Sequence, residues 1–495
     1  MKLQTLIFTV AISAILGMNG CAPKQGTNTP TQKNIKTERF KSTDANLQKL
    51  TDIAFEKSYG YEITRSLTTE IGSRLAGSKN EARARDWAMD KFKELGFKDV
   101  QINLFHVDGW ARGREQAFIV IPHLEKGDYE PQKLFVTALG GSVATPEGGI
   151  TADLAFFENF EALKNAAKGG LDGKIVYITG KMEKTRDGAG YGPANQKRRN
   201  GATEAAKRGA IAVLIRSVGT DSHRFPHTGQ MGYEDGVKKI PIGALSAPDA
   251  DQIDRMFANA NAEAESGKTV RVHLELATKN LGRLPSGNVY ADIIGSTHPE
   301  EIVMIGAHLD SWDLGTGAID DGAGVGIVMG AAKVLMESGF KPERTVRVIL
   351  FGSEEIGLKG GFAYAKQHKD ELGAIVVATE SDFGAAQIYG LQAGKGATNK
   401  ASTDRLYSKL KYLGLEMVAG KADGGPDIIP LNRKGVPVID LKQNGYDYFD
   451  LHHTPDDTFD KIDPKEMAQN VAVYANFIYL ASKANVDFSD NKNGE

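Results

Sequence analysis

Four segments of this sequence place metal-binding types of side chain directly after an apolar run that is typical of a buried strand. These side chains are, in chain order, His308, Asp310, Asp320, Asp321, Glu354, Glu355, Asp382, His452 and His453. Two histidines and three carboxylates suffice to bind two zinc ions when one carboxylate bridges them, at about 2.0 to 2.2 Å per ligand bond. Because the chain has a single cysteine, such a site must be built from His, Asp and Glu.

Each of these segments is a weak signal on its own, because an acidic pair after a strand is usually part of a solvated loop. Together they carry more weight, since ligands of an open parallel sheet bind beyond the carboxyl ends of its strands. The sequence lacks GxSxG and HExxH, which are typical of other hydrolytic sites. The remaining histidines do not belong to such groups of strand-end residues, and we interpret them as surface or structural residues: His106, His123, His223, His227, His273, His298 and His368.

The elements that must position these residues alternate regularly between strands and helices after residue 283. Strand-like runs such as EIVMIGAHLD and RTVRVILFGSEE are separated by helical runs such as GVGIVMGAAKVLME. This alternation predicts an α/β fold with a mainly parallel, helix-flanked sheet that is covered on both faces. The last helix is expected to begin after Asp463 as N-cap, with Pro464 at its first position and Glu466 closing a capping box.

Residues 125–283 have a different sequence pattern, with several short runs typical of β-strands, one or two typical of helices, and many glycines. We therefore expect a mostly-β domain inserted into a discontinuous catalytic domain of residues 44–124 and 284–486, followed by a tail of residues 487–495. The length of 495 residues agrees with two to three domains. A net charge of −3 without a long basic run argues against a nucleic-acid partner.

The amino-terminal residues have the layout of an export signal. Lys2 precedes an apolar run from Leu6 to Leu16, and these roughly 11 residues are too few to cross a bilayer, so residues 1–20 are predicted to be a signal peptide. Cys21 falls where a bacterial lipoprotein signal places its acylated cysteine, and the nearly non-apolar residues 21–43 are typical of a flexible tether. We expect an outer-membrane or periplasmic lipoprotein with a lipid anchor at Cys21. An ordinary periplasmic or secreted protein is the alternative.

The sequence resembles the co-catalytic zinc aminopeptidases and carboxypeptidases of family M28. The motifs that carry this resemblance are GAHLDSW (306–312), GAIDDGAG (317–324), GSEEIG (352–357), ESDFG (380–384) and HHTPDDT (452–458). It extends from Asp44 to the last helix, and HLDSWDLGTGAIDDG is similar to the carboxypeptidase Q, or plasma glutamate carboxypeptidase, branch. The resemblance implies a protease-associated type domain for residues 125–283, a small unblocked peptide as substrate, and often a homodimer.

The resemblance also implies roles for individual residues in a site with two zinc ions per chain. Asp320 would bridge the ions, His308 and Asp382 would complete one site, and Glu355 and His453 would complete the other. His453 is preferred to His452 because residues 453–458 match the family's His-Thr-X-X-Asp-Thr spacing. A cis peptide between Asp320 and Asp321 is implied as well.

Three further residues receive roles. Glu354 would be the general base, and Asp310 would orient the ring of His308, as metal-bound histidines generally require. Glu380 is a candidate for binding the free amine of the substrate. The alternatives are a broader aminopeptidase acting on longer peptides, a glutaminyl cyclase with this fold, and a non-catalytic binding protein that has kept the fold.

We predict that Cys21→Ser moves the protein from the membrane fraction to the soluble fraction. Acylation would be the only membrane attachment in a chain that lacks any apolar run of roughly 20 residues after the signal peptide. Immunoblots of fractionated cells measure the distribution, and Thr27→Ser in the tether serves as the matched control. A natural protein that is already soluble would favour ordinary secretion.

Overall fold

The structure, a computed structural model, describes residues 40–120, 130–262, 269–394 and 399–489. The expected signal peptide, Cys21 and most of the expected tether and tail lie outside the described residues. The described residues belong to one compact unit. Their helices are α1 (Ala45–Lys57), α2 (Tyr59–Glu70), α3 (Lys79–Leu95), α4 (Phe160–Lys164), α5 (Tyr191–Ala206), α6 (Ala247–Ala262), α7 (Ala323–Glu337), α8 (Lys359–Gln367), α9 (Lys400–Leu410), α10 (Ile429–Asn432), α11 (Tyr448–Leu451) and α12 (Pro464–Ala481).

The strands form three sheets. In chain order they are β1 (Val100–Ala111), β2 (Glu115–Val120), β3 (Gln132–Leu134), β4 (Val136–Ala138), β5 (Ile150–Phe157), β6 (Ile175–Ile178), β7 (Ala212–Arg216), β8 (Ile242–Leu245), β9 (Arg271–Leu276), β10 (Lys279–Ile293), β11 (His298–His308), β12 (Arg344–Phe351), β13 (Ile375–Glu380), β14 (Ile388–Ala393), β15 (Glu416–Met417) and β16 (Ile439–Gln443).

The first sheet has the strand order β1-β10-β12-β11-β13. Strands β12, β11 and β13 run parallel, whereas β10 pairs antiparallel with both β1 and β12. A parallel bridge between Ala378 and Val438 joins it to a small sheet of order β15-β14-β16. The predicted α/β class is confirmed, but the sheet is mixed rather than mainly parallel. The difference arises because NVYADI is the end of the long strand β10, whose pairing with β1 depends on residues distant in the chain.

Helices cover both faces of the parallel strands. Every residue of β12 is buried, and β11 is buried from Ile302 to His308, which is typical of strands between two helical layers. Helix α7 packs against β11 and β12, while Tyr364 of α8 shares a buried cluster with Phe351 and Met304. The carboxyl ends of these strands therefore form a well-supported edge.

The second sheet has the order β3-β2-β9-β5-β6-β7-β8-β4. Strands β5 to β8 run parallel, and α5 makes the crossover between β6 and β7. This part of the chain is therefore α/β rather than mostly β. Strands β6, β7 and β8 are buried at every position, as is typical of strands with helices on both faces. The short apolar runs in the sequence do not show that helices cover them.

The limits of the second sheet also differ from the predicted boundaries of 125 and 283. It begins with β2, which falls within the predicted 44–124 segment, and it ends with β9 at Leu276. Strand β10 belongs to the first sheet and begins at Lys279, inside the predicted insert. The predicted start of α12 is confirmed, because the Asp463 carboxylate accepts hydrogen bonds from the backbone N–H groups of residues 465 and 466 at 2.7 and 3.0 Å.

Arg74 supports the loop that follows β11. It lies between α2 and α3, is fully buried, and donates hydrogen bonds to the carbonyl oxygens of Gly72, Leu309, Thr316 and Gly317 at 2.6 to 2.9 Å. Three of these carbonyls belong to the segment that leads from β11 towards Asp320. The shape of that segment depends on one buried guanidinium.

We predict that Arg74→Met lowers the free energy of unfolding by about 3 to 5 kcal/mol, because several buried carbonyl groups lose their donor. Urea unfolding followed by tryptophan fluorescence measures the change. Arg433→Met removes an arginine that is exposed on the surface, and this control should unfold as the natural protein does. An unchanged urea midpoint in Arg74→Met would contradict the supporting role.

Candidate active site

The carboxyl ends of β11, β12 and β13 meet at one edge of the first sheet. His308 ends β11, Glu354 and Glu355 follow β12, and Asp382 follows β13. The three strands are parallel neighbours, so these residues lie together. The loop after α11 adds His453, and the structure thereby brings all five predicted metal ligands into one cluster with the predicted base.

Asp320 lies between two groups of side chains. In the first group, Nε2 of His308 is 3.0 Å from Oδ1 of Asp320 and 3.5 Å from Oδ1 of Asp382. One ligand atom from each of these three residues lies within 4.8 Å of the other two. All three side chains are at least nine-tenths buried.

The second group uses the other oxygen of Asp320. Oδ2 of Asp320 is 3.2 Å from Nε2 of His453, which is also 3.0 Å from Oε2 of Glu355. His453 has φ 64° and Ser353, just before the two glutamates, has φ 60°. Such left-handed backbone is unfavourable for non-glycine residues and persists where the surrounding structure over-determines it.

His452 lies beside His453, and their stacked rings are 3.5 Å apart between centroids. Nε2 of His452 is 3.6 Å from Asp320 Oδ2, so distance alone admits it to the second group. His453 has the better-defined orientation, because its Nδ1 lies 3.2 Å from the carbonyl oxygen of Thr228, whereas Nδ1 of His452 has no hydrogen-bond partner. Donation from Nδ1 leaves the Nε2 lone pair of His453 facing the carboxylates.

Asp310 holds the loop that carries the two glutamates. Its carboxylate accepts hydrogen bonds from the backbone N–H groups of Glu354 and Glu355 at 3.0 and 3.3 Å. Nδ1 of His308 is 3.0 Å from the carbonyl oxygen of Asp310 and 3.5 Å from its carboxylate. The nearer acceptor for the His308 ring is therefore the backbone carbonyl, and the carboxylate mainly positions the glutamate loop.

Two other buried carboxylates, to which the sequence assigns no role, hold the backbone of the cluster. Asp321 accepts hydrogen bonds from the backbone N–H groups of His308 at 3.0 Å and Gly324 at 2.9 Å. Asp457 accepts from the N–H groups of residues 318 and 319 at 2.7 and 2.6 Å. The motif HHTPDDT contains Asp457 and could have identified it. The peptide bond between Asp320 and Asp321 is cis, as the resemblance implies.

A loop of the second sheet, between β7 and β8, lies against His453. The N–H of Thr228 donates to the carbonyl oxygen of His453 at 3.1 Å, in addition to the contact with its ring. Nδ1 of His227 is 2.7 Å from the carbonyl oxygen of His452, and its Nε2 is 2.7 Å from the Asp221 carboxylate. His227 is thus structural, but it supports the site. Its partner is 225 residues distant, so no local pattern could reveal this.

Burial dominates the electrostatics of the cluster. Burial raises the pKa of Glu355 well above its usual value, and the neighbouring Asp320 carboxylate raises it further. Burial also raises the pKa of Glu354 well above its usual value, with Asp382 and Glu355 adding to the effect. Burial alone would raise the pKa of Asp320, but hydrogen bonds from His308 and His453 hold it well below its usual range. Cations would stabilise so much buried negative charge.

Unpaired oxygen atoms show that cations fit here. Oε1 of Glu355 and Oδ1 of Asp382 are buried without a hydrogen-bond partner. Buried carboxylate oxygens without a donor are costly unless they bind a cation. Imidazole nitrogen and carboxylate oxygen are the donor atoms that zinc uses, and the cluster offers them in two groups that share Asp320.

The remaining predicted features occupy the border of the cluster. Glu380 ends β13, and its Oε2 accepts a hydrogen bond from the N–H of Asp427 at 2.8 Å. Tyr448 and Phe449 are buried and pack against His452 with ring centroids 5.2 and 5.1 Å apart. Tyr446 is exposed. Two of the three aromatic residues before His453 therefore support its loop by packing.

Comparison with known sequences assigns this arrangement to a family. The sequence model of peptidase family M28 matches residues 288–478. Carboxypeptidase Q of Mus musculus is 33% identical over 485 residues, which cover 97% of this chain and 98% of that protein. Carboxypeptidase Q of Homo sapiens is 34% identical over 422 residues, which cover 85% of each chain.

Solved structures agree with this assignment. The peptidase M28 precursor from Shewanella amazonensis SB2B is 46% identical, with a TM-score of 0.84 over 90% of this chain and 97% of that chain. An aminopeptidase from Aneurinibacillus sp. strain AM-1 shares the fold, with a TM-score of 0.59 at 21% identity over 90% of this chain and 97% of that one. The predicted family and the predicted class of metallo-exopeptidase are confirmed: the chain belongs to peptidase family M28.

Proposed function

We propose that this protein is a di-zinc exopeptidase that hydrolyses unblocked dipeptides or short peptides. The observation that carries the proposal is the position of Asp320, whose two carboxylate oxygens face two separate groups of buried histidine and carboxylate side chains. The mammalian relatives are named carboxypeptidase Q, which supports exopeptidase action on this chain as well.

The resemblance to the family assigns residues to the two ions, and the distances above agree with that assignment. His308 and Asp382 would bind one ion, Glu355 and His453 would bind the other, and Asp320 would bind both. When bound, the ions supply an acidified water as nucleophile and polarise the scissile carbonyl group. The carbonyl oxygens of Asp310 and Thr228 keep the two imidazole rings in orientation.

Glu354 is the residue to which our proposal assigns proton transfer. Its backbone N–H is tied to Asp310, and it is only partly buried, whereas the neighbouring Glu355 is buried and lies against His453. In our proposal Glu354 accepts the proton of the attacking water and delivers it to the leaving amine. The adjacent glutamates thus divide two tasks, proton transfer and cation binding.

We predict that Glu354→Gln retains bound zinc but loses turnover by about 10² to 10⁴ or more, because an amide cannot accept the proton. Hydrolysis of alanyl-alanine measures turnover, and plasma emission spectrometry of the dialysed protein measures zinc. Near-natural activity would exclude Glu354 as the base.

His453→Ala and Asp320→Ala should lower zinc content as well as activity, which separates cation binding from proton transfer. His223→Ala is the matched control, because this side chain is about half exposed and lies outside both groups. Full zinc content in His453→Ala would transfer the role of ligand to His452.

A broader aminopeptidase is the second candidate, since the proposed metal ligands do not determine how many residues lie between the scissile bond and the end of the peptide. The loop with Thr228 lies directly against His453. In our proposal this loop limits the length of the peptide that the site accepts, which favours the dipeptidase. We also propose that the second sheet is a protease-associated type domain and that the chain assembles as a homodimer.

Attachment through a lipid at Cys21, with location in the outer membrane or periplasm, stays a proposal. In the ranges that the structure describes, no helix combines the length and apolarity needed to cross a bilayer.

We predict that free dipeptides are cleaved at least about 100-fold better than a ten-residue peptide, judged by kcat/KM, and that acetylation of the amine abolishes cleavage. The physical reason is that a blocked amine leaves buried polar groups of the site unpaired. Mass spectrometry of the products measures both effects. Efficient trimming of the ten-residue peptide would instead establish the broader aminopeptidase.

A further inference from the structure

Arg112 lies in the short link that leads from the first sheet to the second, between the end of β1 and the start of β2. Its side chain is mostly buried, with 11% of its surface exposed. Nε and Nη2 donate to the two carboxylate oxygens of Asp313 at 2.8 and 2.9 Å. Nη1 donates to the carbonyl oxygen of Ala138 at 2.7 Å and to the carboxylate of Glu115 at 2.8 Å. One side chain thus connects the loop after β11 with the second sheet.

On the side of the second sheet, this connection continues to Thr228, which is fully buried. Nη2 of Arg112 also donates to the hydroxyl oxygen of Thr228 at 3.0 Å, and that hydroxyl donates to the carbonyl oxygen of Ala138 at 3.0 Å. The backbone of Thr228 contacts His453: its N–H donates to the His453 carbonyl oxygen at 3.1 Å, and its own carbonyl oxygen lies 3.2 Å from Nδ1. Arg112 therefore holds the residue that orients the imidazole.

On the side of the first sheet, the connection leads to Trp312, the residue before Asp313. The ring of Trp312 contacts the same imidazole, with 5.8 Å between the two ring centroids and an interplanar angle of 61°. The loop of the second sheet also approaches closely, because a Cβ at Gly229 would lie 2.7 Å from Nδ1 of His453. The imidazole is thus enclosed by two segments, and each of them is bound to Arg112.

The chemistry of the guanidinium suits this position. An arginine presents five donors in a rigid plane, so one group can bind a carboxylate through two donors and still reach carbonyl and hydroxyl oxygens. A lysine at position 112 would keep the charge but offer a single nitrogen. Among the residues that the structure describes, no proposed metal ligand forms a hydrogen bond with Arg112. Its effect on a ligand must therefore pass through Thr228 and Trp312.

We infer that Arg112 is a positioning residue for the ion at Glu355 and His453, because it fixes the His453 imidazole from both sheets. The inference rests on the proposed function for the role of His453 as a ligand. It adds that the affinity for this ion depends on how the two sheets are joined. The ion at His308 should lack this dependence, because Arg74 separately binds three carbonyl oxygens of the loop after β11.

The affinity of the full-length protein for each zinc ion, measured by competition with a chromophoric chelator, tests the inference without catalysis. His453→Ala identifies the ion that depends on His453. Arg112→Lys should weaken this ion about 10- to 100-fold, the usual cost of losing a residue that orients a metal ligand, and should leave the other ion unchanged. Arg114→Lys is the matched control, because this neighbouring arginine is 70% exposed and pairs with Glu275 within the second sheet.

Changes at Thr228 test the path of the effect. Thr228→Val removes the hydroxyl that accepts from Arg112 and keeps the backbone groups that contact His453, so it should weaken the same ion. Thr228→Ser restores the hydroxyl and should bind both ions as the natural protein does. Because the two residues belong to one chain of contacts, Arg112→Lys combined with Thr228→Val should lose little more affinity than Arg112→Lys alone.

Selective weakening of the His453-dependent ion in Arg112→Lys and Thr228→Val supports the inference even if no peptide is hydrolysed. In that case the proposed function fails and the positioning role stands. Normal affinity for both ions in these two variants overturns the inference and leaves a hydrolytic di-zinc enzyme intact. Equal weakening of both ions also overturns it, since Arg112 would then act on stability alone, and so does the absence of any ion that depends on His453.

Discussion

Repulsion among buried carboxylates is the constraint on which the rest of this structure depends. Asp320, Glu355 and Asp382 crowd around two imidazole rings, and burial raises the pKa of Glu355 well above its usual value. Such a cluster is unfavourable unless cations bind it and the backbone holds its members apart. Buried carboxylates around it accept backbone N–H donors, as Asp321 and Asp457 do. The surrounding loops thus supply hydrogen bonds that keep the ligands in place.

The same constraint explains why the site spans both sheets. The first sheet supplies His308 and the acidic residues at its strand ends, and a loop of the second sheet contacts the loop that carries His453. Its backbone and ring are held by Thr228, and the neighbouring His452 carbonyl is held by His227. The loop of the second sheet carries no proposed metal ligand, but its contacts fix the orientation of the His453 ring. A loop of the second sheet therefore contributes contacts to the cluster.

Charge is distributed unevenly around the ligands. On the side of Asp382 there is a cavity lined by five carboxylates, those of Asp382 and Glu380 among them. On the side of His453, Arg198 is buried, and its Nη1 is 3.4 Å from Nδ1 of His453. Glu354 follows β12 at the same edge of the sheet.

The sequence by itself determined the α/β class, the family, and the types of side chain that follow the strands of the first sheet, because strand-end motifs such as GAHLDSW and GSEEIG are short and locally recognisable. It also determined the start of α12, since a helix cap involves only adjacent residues. Only the tertiary structure decided the antiparallel half of the first sheet, the α/β character of the second, and the contacts of His227 and Thr228 with the site. These features join residues that are far apart in the chain. Contacts between such residues produce no periodicity and no fixed spacing in the sequence.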